Sequence, residues 1–227
     1  MTSDARVNEV IHDFYERHYS SVVATANGSA FERYMHQSME RRYGPDTTFR
    51  RVLEVGGNQG EHVPYVRHGY EEYVLTDLYL PQPEPTLLAD RRLQVAACDV
   101  TAMPYDDASF NRVISTCLLH HVPSPWQAVE EMRRITQPGG VITILVPTDP
   151  GFAYRAGKQL TSGRKARQAG VSDEFRFVSA IDHRNHFRSI RTQIVHGLRG
   201  ARVSVAWRPL RVPSMDLNAF AVFSCVV

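Results

Sequence analysis

Residues 51–60 read RVLEVGGNQG, and this stretch decides the fold. An apolar run that contains one carboxylate, Glu54, passes directly into a turn with three glycines: Gly56, Gly57 and Gly60. Glycine has no Cβ, so it adopts positive φ angles easily and lets a ligand approach the backbone amides. The pattern predicts a short buried strand that enters a tight turn and then a helix.

A second apolar run follows about twenty residues later and predicts a neighbouring strand. It covers residues 73–76 and ends at Asp77. In a doubly wound sheet, ligands bind at the carboxyl ends of the strands. Asp77 would therefore lie where a carboxylate can hold the two hydroxyls of a ribose by charge-assisted hydrogen bonds. We interpret the two strand ends as a site for a nucleoside cofactor.

The spacing of the glycines distinguishes between nucleoside cofactors. A dinucleotide fingerprint, G-x-G-x-x-G, has a glycine five residues after the first. Here that position is Glu61, and the glycine comes one residue earlier, at Gly60. The E-x-G-x-G-x-G arrangement that starts at Glu54 resembles motif I of the class I S-adenosylmethionine-dependent methyltransferases. Asn58 replaces the middle glycine, and we expect it at positive φ because asparagine tolerates that conformation.

Further segments resemble the same family, in the same order. Residues 96–100, AACDV, resemble the end of its third strand, and residues 103–110, MPYDDASF, resemble the loop that follows. Residues 118–122, LLHHV, are similar to a segment of the type 11 subgroup, and residues 131–141, EMRRITQPGGV, resemble its signature before the fifth strand. The resemblance covers roughly residues 50–147.

This resemblance implies the fold class, the cofactor and the cofactor site. The fold is α/β: a Rossmann-like, doubly wound, seven-stranded mixed sheet with an antiparallel last strand and a helical N-terminal cap. The cofactor is S-adenosyl-L-methionine and the product S-adenosyl-L-homocysteine. The acid after the third strand would bind the adenine amino group, with the next residue packed on the ring. The implied cofactor-binding residues are Glu54, Gly56, Gly57, Asn58, Gly60, Asp77, Leu78, Asp99, Val100, Cys117 and Leu118.

The chain length fits one methyltransferase domain over residues 1–227, because 227 residues bury one sizeable core. We expect a helical cap at 1–49 and a cofactor-binding core at 50–147. An acceptor-side insertion and helix at 148–200 would come next, followed by a C-terminal hairpin at 201–227.

The cysteines and the hydropathy pattern indicate a cytoplasmic protein without a metal site. Cys98, Cys117 and Cys225 are far apart in apolar surroundings and are expected to be reduced thiols. No C-x-x-C motif or Cys/His cluster suggests a metal, so none is expected. No apolar signal region and no run of about twenty apolar residues is found, so neither secretion nor a membrane span is expected.

Basic residues are concentrated after residue 150, where the sequence contains thirteen Lys and Arg and only four acidic residues. One interpretation is an anionic acceptor held by arginines, since a guanidinium binds carboxylate or phosphate bidentately. Arg164 and Arg167 are then the expected contacts. The other interpretation is a solvated basic face. Nucleic acid is a weaker alternative, because residues 115–118, STCL, lack the Asn/Asp-Pro-Pro-Tyr/Phe sequence of enzymes that methylate base amino groups.

Three histidines are candidates for a general base. Histidine serves best near neutral pH. His121 follows the fourth predicted strand, beside the expected methyl donor, although this histidine is often structural in the family. His183 and His186 are spaced i, i+3 and could share one helical face toward the acceptor. Alternatively they are surface residues at a helix start.

We therefore expect a methyltransferase that acts on a small acceptor, with oxygen the first choice of target atom, nitrogen the second and carbon the third. Tyr15 and Tyr19 of the cap are expected to close the acceptor pocket. The alternatives are an RNA or nucleotide methyltransferase and a cofactor-binding partner subunit without chemistry. The chain is expected to be a monomer or a homodimer.

Overall fold

A seven-stranded mixed sheet forms the centre of the structure, a computed structural model that describes residues 3–18, 21–22 and 29–227. The strands are β1 Thr48–Val55, β2 Gly69–Asp77, β3 Leu93–Ala97, β4 Phe110–Thr116, β5 Thr136–Pro147, β6 Arg202–Arg208 and β7 Phe220–Val226. Their order is β3-β2-β1-β4-β5-β7-β6. β7 is antiparallel to both of its neighbours, and the other pairs are parallel. The predicted fold class is confirmed.

The apolar runs of the sequence form the central strands. Leu53 of β1 lies between Val74 of β2 and Val113 of β4, and all three side chains are buried. Parallel strands covered on both faces are apolar on both faces, which explains why these runs do not alternate. The parallel arrangement brings the carboxyl ends of β1, β2, β4 and β5 to one edge of the sheet. The start of β7 joins them, because Phe220 pairs with Pro147.

Eight α-helices are found in the described part of the chain. They are α1 Ser3–His18, α2 Ala30–Glu40, α3 Pro85–Leu88, α4 Pro125–Ile135, α5 Phe152–Leu160, α6 Ser162–Gln168, α7 Ser172–Asp182 and α8 Phe187–Gly197. Met132 of α4 and Ile190 of α8 are buried on one face of the sheet, and Met39 of α2 on the other. Within the described residues, no helix is long and apolar enough to span a membrane.

The prediction of a helix directly after the glycine turn is wrong. That segment holds a single turn of 3-10 helix, Val63–Tyr65, and the chain is already extended at Val66. A longer helix starting near Gly60 would need a backbone N–H at Pro64, and proline has none.

Helices α1 and α7 pack against each other beside the carboxyl edge of the sheet. Phe14 of α1 is buried in a small apolar cluster with Phe175 and Val178 of α7. At the surface, Arg17 donates a hydrogen bond to Glu174 at 2.9 Å. These contacts place the N-terminal helix beside the segment that follows the fifth strand.

A buried ionic cluster connects α2 to the sheet. Glu40, at the end of α2, accepts hydrogen bonds from both terminal nitrogens of Arg112 of β4, at 2.9 and 2.5 Å. His62 Nε2 lies 2.9 Å from the same carboxylate. Burial opposes ionisation of Glu40, but the hydrogen bond to His62 and the charge of Arg112 outweigh it and lower its pKa to about 2. The cluster therefore holds an ionised carboxylate inside the fold.

Candidate active site

The glycine turn after β1 has the backbone conformation that the sequence predicted. Gly56, Asn58 and Gly60 have φ angles of 68°, 45° and 79°. A Cβ built on Gly57 would lie 2.2 Å from Cδ1 of Leu75, so no larger residue fits there without rearrangement. The expectation of a left-handed Asn58 is confirmed.

Asp77 closes this turn from the end of β2. Its carboxylate accepts hydrogen bonds from the backbone N–H of Asn58 at 3.0 Å and of Leu78 at 2.7 Å. Burial raises the pKa of Asp77. A carboxylate offers about four lone-pair sites, so two positions remain for the hydroxyls of a ligand.

Asp99 and Val100 follow β3 on the same edge of the sheet. The N–H of Cys98 donates to the backbone oxygen of Asp77 at 2.7 Å, which holds the two strand ends together. Asp99 is exposed, and one of its oxygens accepts from the N–H and the hydroxyl of Thr101. Val100 is buried. Their roles toward adenine stay predictions.

Glu54 lies near the end of β1, directly before the glycine turn. Its side chain is buried and accepts a hydrogen bond from the hydroxyl of Tyr73 at 2.6 Å. Burial raises the pKa of Glu54 to about 7, although His62 and the Tyr73 hydroxyl act in the opposite direction. A carboxyl group with this pKa readily ionises when a cation binds beside it.

A cavity of about 700 Å³ opens at the carboxyl edge of the sheet, next to the glycine turn. One part is lined by the turn itself, with Glu54, Gly56, Gly57, Asn58, Thr116 and Cys117. An apolar part is lined by Phe31, Met35, Leu145, Leu217 and Phe220. A polar part, called here the acceptor end, is lined by Tyr15, His120, His121, Tyr154, Lys158 and His183.

Two histidines of the acceptor end are each held by an aspartate. Nδ1 of His121 lies 2.8 Å from Oδ2 of Asp182, which also accepts the hydroxyl of Tyr15 at 2.6 Å. Nδ1 of His183 lies 2.8 Å from Oδ2 of Asp149. The aspartates fix the ring orientations, and among the described residues Nε2 of each ring has no hydrogen-bond partner.

Burial controls the protonation of this group. It lowers the pKa of His183, and the hydrogen bond to Asp149 opposes this effect without cancelling it. Burial is the largest influence on Asp182 and opposes its ionisation, but the hydrogen bonds from His121 and Tyr15 and the electrostatic effect of the two histidines together outweigh it and lower the pKa of Asp182. The acceptor end thus contains two ionised aspartates beside imidazoles, of which His183 is neutral at pH 7.

Among the described residues that line the cavity, Lys158 of α5 is the one lysine or arginine. Its Nζ lies 5.4 Å from the ring centroid of Phe175, and among the described residues no carboxylate lies within 4.0 Å of it. Burial lowers its pKa, although Asp149 and Asp182 oppose the shift. An ammonium group without a close counter-ion can bind a negatively charged substituent.

Two arginines that the sequence assigned to the acceptor face away from the cavity. Arg164 and Arg167 are exposed on α6 and do not line it. Helix α6 buries Gly163 and Ala166, which share one face, so the arginines that follow them point outward. The prediction that these arginines contact an acceptor in the cavity is therefore wrong.

His183 and His186 do not share a helical face. Helix α7 ends at Asp182 and α8 begins at Phe187, so both histidines lie in the connection between helices. His183 lines the cavity, whereas His186 is exposed at the N-cap of α8. Residues spaced i, i+3 share a face only within a helix, and the backbone between these two histidines is not helical.

The remaining predicted residues divide between the cavity and its surroundings. Cys117 lines the cavity with φ 53°, and the side chain of Leu118 packs against Gly56. Leu78 is exposed beside Asp77. Tyr19 lies outside the described residues.

Asp149, Asp182, His120 and Lys158 were not predicted from the sequence. Asp182 adjoins His183 in the chain, so an acidic residue beside this candidate base was a visible signal, and Asp149 lies two residues after the end of the fifth strand. Which aspartate contacts which histidine depends on the tertiary structure, because Asp182 contacts His121 and not its neighbour.

Comparison with known proteins gives one consistent result. Residues 53–144 match the protein family described as "Methyltransferase domain". The malonyl-[acyl-carrier protein] O-methyltransferase of Enterobacter lignolyticus (strain SCF1) is 30% identical over 207 residues, which cover 86% of this chain and 74% of that protein. The 27-O-demethylrifamycin SV methyltransferase of Amycolatopsis mediterranei (strain S699) is 26% identical over 138 residues, 55% of this chain and 50% of that protein.

A solved structure shares the fold. The 1,6-didemethyltoxoflavin-N1-methyltransferase of Burkholderia thailandensis, with bound 1,6-didemethyltoxoflavin and S-adenosylhomocysteine, superposes with a TM-score of 0.64. The superposition covers 100% of this chain and 91% of that chain at 15% sequence identity.

Proposed function

The chain belongs to the class I S-adenosylmethionine-dependent methyltransferases, and we propose that it methylates an oxygen atom of a small acceptor bound beside the two His–Asp pairs. S-adenosylmethionine is the cofactor. The glycine turn fits it, because the turn lines the cavity and Asp77 keeps free lone pairs beside the N–H of Asn58. We assign the ribose to Asp77 and the methionine part to Glu54 and the turn.

The observation that carries the proposal is the arrangement of His121 and His183. Both line the cavity, and both have Nδ1 bound to an aspartate, so Nε2 is the nitrogen left to meet an acceptor. The cofactor supplies an electrophilic methyl group on a sulfonium. A hydroxyl acceptor loses its proton as it is methylated, so it needs a base within hydrogen-bond reach. Either imidazole can take that proton, and its aspartate then stabilises the imidazolium.

The same part of the cavity favours an acceptor that carries negative charge. Lys158 supplies an ammonium group without a carboxylate within 4.0 Å among the described residues. The apolar part of the cavity, with Phe31 and Phe220, would hold an alkyl or aromatic portion of the same molecule. One relative, the malonyl-[acyl-carrier protein] protein, is an O-methyltransferase, which supports oxygen as the target atom.

The test is a screen followed by two variants. Radiolabelled S-adenosylmethionine is incubated with hydroxy and carboxylic acids that carry an apolar group, and the acceptor found is used for kinetics. His121→Ala and His183→Ala should each leave S-adenosylhomocysteine affinity unchanged, and replacing the true base should lower kcat by about 10²–10⁴-fold. His196→Ala removes an exposed histidine of α8 and is the matched control.

Two results would contradict the proposal. Full turnover by the His121→Ala/His183→Ala double variant would eliminate both imidazoles as acceptor-activating groups. Tight cofactor binding without transfer to any acceptor, small molecule or RNA, would instead indicate a partner subunit without chemistry.

A further inference from the structure

Three imidazoles meet at the acceptor end of the cavity. One ring nitrogen from each of His120, His121 and His183 lies within 4.8 Å of the others. The ring centroid of His120 is 3.9 Å from that of His121 and 4.6 Å from that of His183. The first two residues follow β4 and the third follows α7, so the fold brings together two distant segments.

Two aspartates contact this cluster in the way that carboxylates contact metal-bound histidines. Metal-bound histidines nearly always donate their other N–H to a carboxylate, a backbone carbonyl or a water, which fixes the ring and its tautomer. The carboxylate of Asp182 contacts Nδ1 of His121, and that of Asp149 contacts Nδ1 of His183. The Nε2 lone pairs are therefore the ones available to an ion.

His120 supplies a separate observation. Its side chain is only 5% exposed, and its Nδ1 has no hydrogen-bond partner among the described residues. A buried polar atom left without a partner destabilises the fold, so each such atom requires an explanation. Coordination of an ion would give this buried ring a polar partner.

The charges of the site favour a cation. The carboxylates of Asp149 and Asp182 each contact one of these histidines, and Lys158 lines the same end of the cavity. A divalent ion would add positive charge beside the two carboxylates. The same ion would therefore help the acceptor end to attract the anionic acceptor of the proposed function.

We propose that His120, His121 and His183 bind one divalent transition-metal ion of the Zn²⁺ type, with a fourth coordination position open to the cavity. Three protein ligands and an open position are typical of catalytic zinc. Imidazole nitrogens suit zinc, copper, iron and nickel, whereas magnesium and calcium prefer oxygen. Nitrogens at 2.0–2.1 Å from a tetrahedral ion are about 3.4 Å apart, so the rings move together on binding.

The ion gives the acceptor oxygen a second means of activation. An oxygen at the open position would lose its proton to solvent at a lower pH, because a bound divalent ion lowers the pKa of its ligand. With the ion bound, it would replace the histidines as the group that activates the acceptor, because their Nε2 atoms would be its ligands. This role rests on the proposed transfer to oxygen and not on a histidine base, and the binding of the ion rests on neither.

The test measures binding directly. Protein without a polyhistidine tag is treated with a chelator, dialysed and titrated with Co²⁺, followed by visible absorption and by competition with Zn²⁺. One Co²⁺ per chain with the intense absorption of a four-coordinate site is expected. Asp149→Asn and Asp182→Asn keep all three ligands and should weaken binding by about 10–100-fold. His183→Ala should remove the signal, whereas the exposed His186→Ala should keep it.

The outcomes separate this inference from the proposed function. No Co²⁺ binding by the wild type, or equal binding by the wild type and a His120→Ala/His183→Ala variant with a native circular dichroism spectrum, would overturn the site. Full turnover by chelator-treated enzyme would overturn the role of the ion and leave O-methylation intact. One tightly bound Co²⁺ in an enzyme that methylates nitrogen would support the site and overturn the proposed function.

Discussion

Replacing Glu54 with glutamine should remove a pH dependence from cofactor binding. Glu54 is buried beside the glycine turn and has a pKa of about 7 in the cofactor-free protein. The groups around it are the hydroxyl of Tyr73 at 2.6 Å, the imidazole of His62 and the carboxyls of Glu61 and Glu40. We expect its ionised form to pair with the ammonium group of S-adenosylhomocysteine, so binding must remove the proton that Glu54 carries below pH 7.

The size of the effect follows from this pKa. If ionised Glu54 is required, the dissociation constant of S-adenosylhomocysteine at pH 5.5 should exceed that at pH 7.5 by about 25-fold, or about 1.9 kcal/mol. The ammonium group stays mostly charged over this range, since α-amino groups titrate near 7.7–8.0. At pH 7 each binding event should release about half a proton.

The same shift affects the stability of the cofactor-free protein. The folded-state pKa of Glu54 lies above the ordinary value of 4.5. The folded state therefore binds more protons than the unfolded state between these values, and the free energy of unfolding falls as the pH rises from about 4.5 through 7. Glu54→Gln should remove this contribution and keep an oxygen that accepts the Tyr73 hydroxyl.

Isothermal titration calorimetry in two buffers with different ionisation enthalpies measures both the affinity and the protons released. The wild type should show the steep change below pH 7, and Glu54→Gln should bind with nearly constant affinity from pH 5.5 to 7.5. A wild-type affinity that does not vary with pH, or an equal slope in the variant, would refute the proposed contact between Glu54 and the ammonium group.

The remaining predictions concern the ribose contact, the turn and the buried ionic cluster. Asp77→Ala should weaken S-adenosylhomocysteine binding by about 2–3 kcal/mol in calorimetry; unchanged affinity would contradict the ribose assignment. Asn58→Gly should keep cofactor binding, whereas Asn58→Val should lose much of it because φ is 45° there; equal behaviour would contradict the turn. Glu40→Gln should lower the urea-measured free energy of unfolding by about 3–5 kcal/mol, because it leaves Arg112 buried without its partner. Glu71→Gln, in an exposed pair with Arg50, should change it by at most about 1 kcal/mol; equal losses in the two variants would contradict the burial argument.

The fold could be predicted from the sequence because its decisive features are local. The apolar runs that became β1 and β2, and the conformation of Asn58, follow from residues close together in the chain. The 3-10 turn at Val63–Tyr65 was not predicted, because the glycines after an apolar run indicate a turn and a helix, whereas Pro64 prevents a longer helix.

The candidate site could be predicted only in part, because its contacts join distant segments. His121 was found from its position after β4, but its partner Asp182 comes from α7. A count of basic residues does not show which face of a helix carries them. It therefore predicted Arg164 as an acceptor contact and did not predict Lys158. The Glu40–Arg112 pair gave no signal either, since a charged residue inside a strand is usually expected at the surface.

The most direct test of the central claim is the atom that receives the methyl group. S-adenosylmethionine with a ¹³C-labelled methyl is incubated with the enzyme and the acceptor found by screening, and the product is examined by heteronuclear NMR. We predict a label with the chemical shift of an O-methyl ether or ester, and its loss in the His121→Ala/His183→Ala double variant. A label on nitrogen or carbon, or equal labelling by the double variant, would contradict the account.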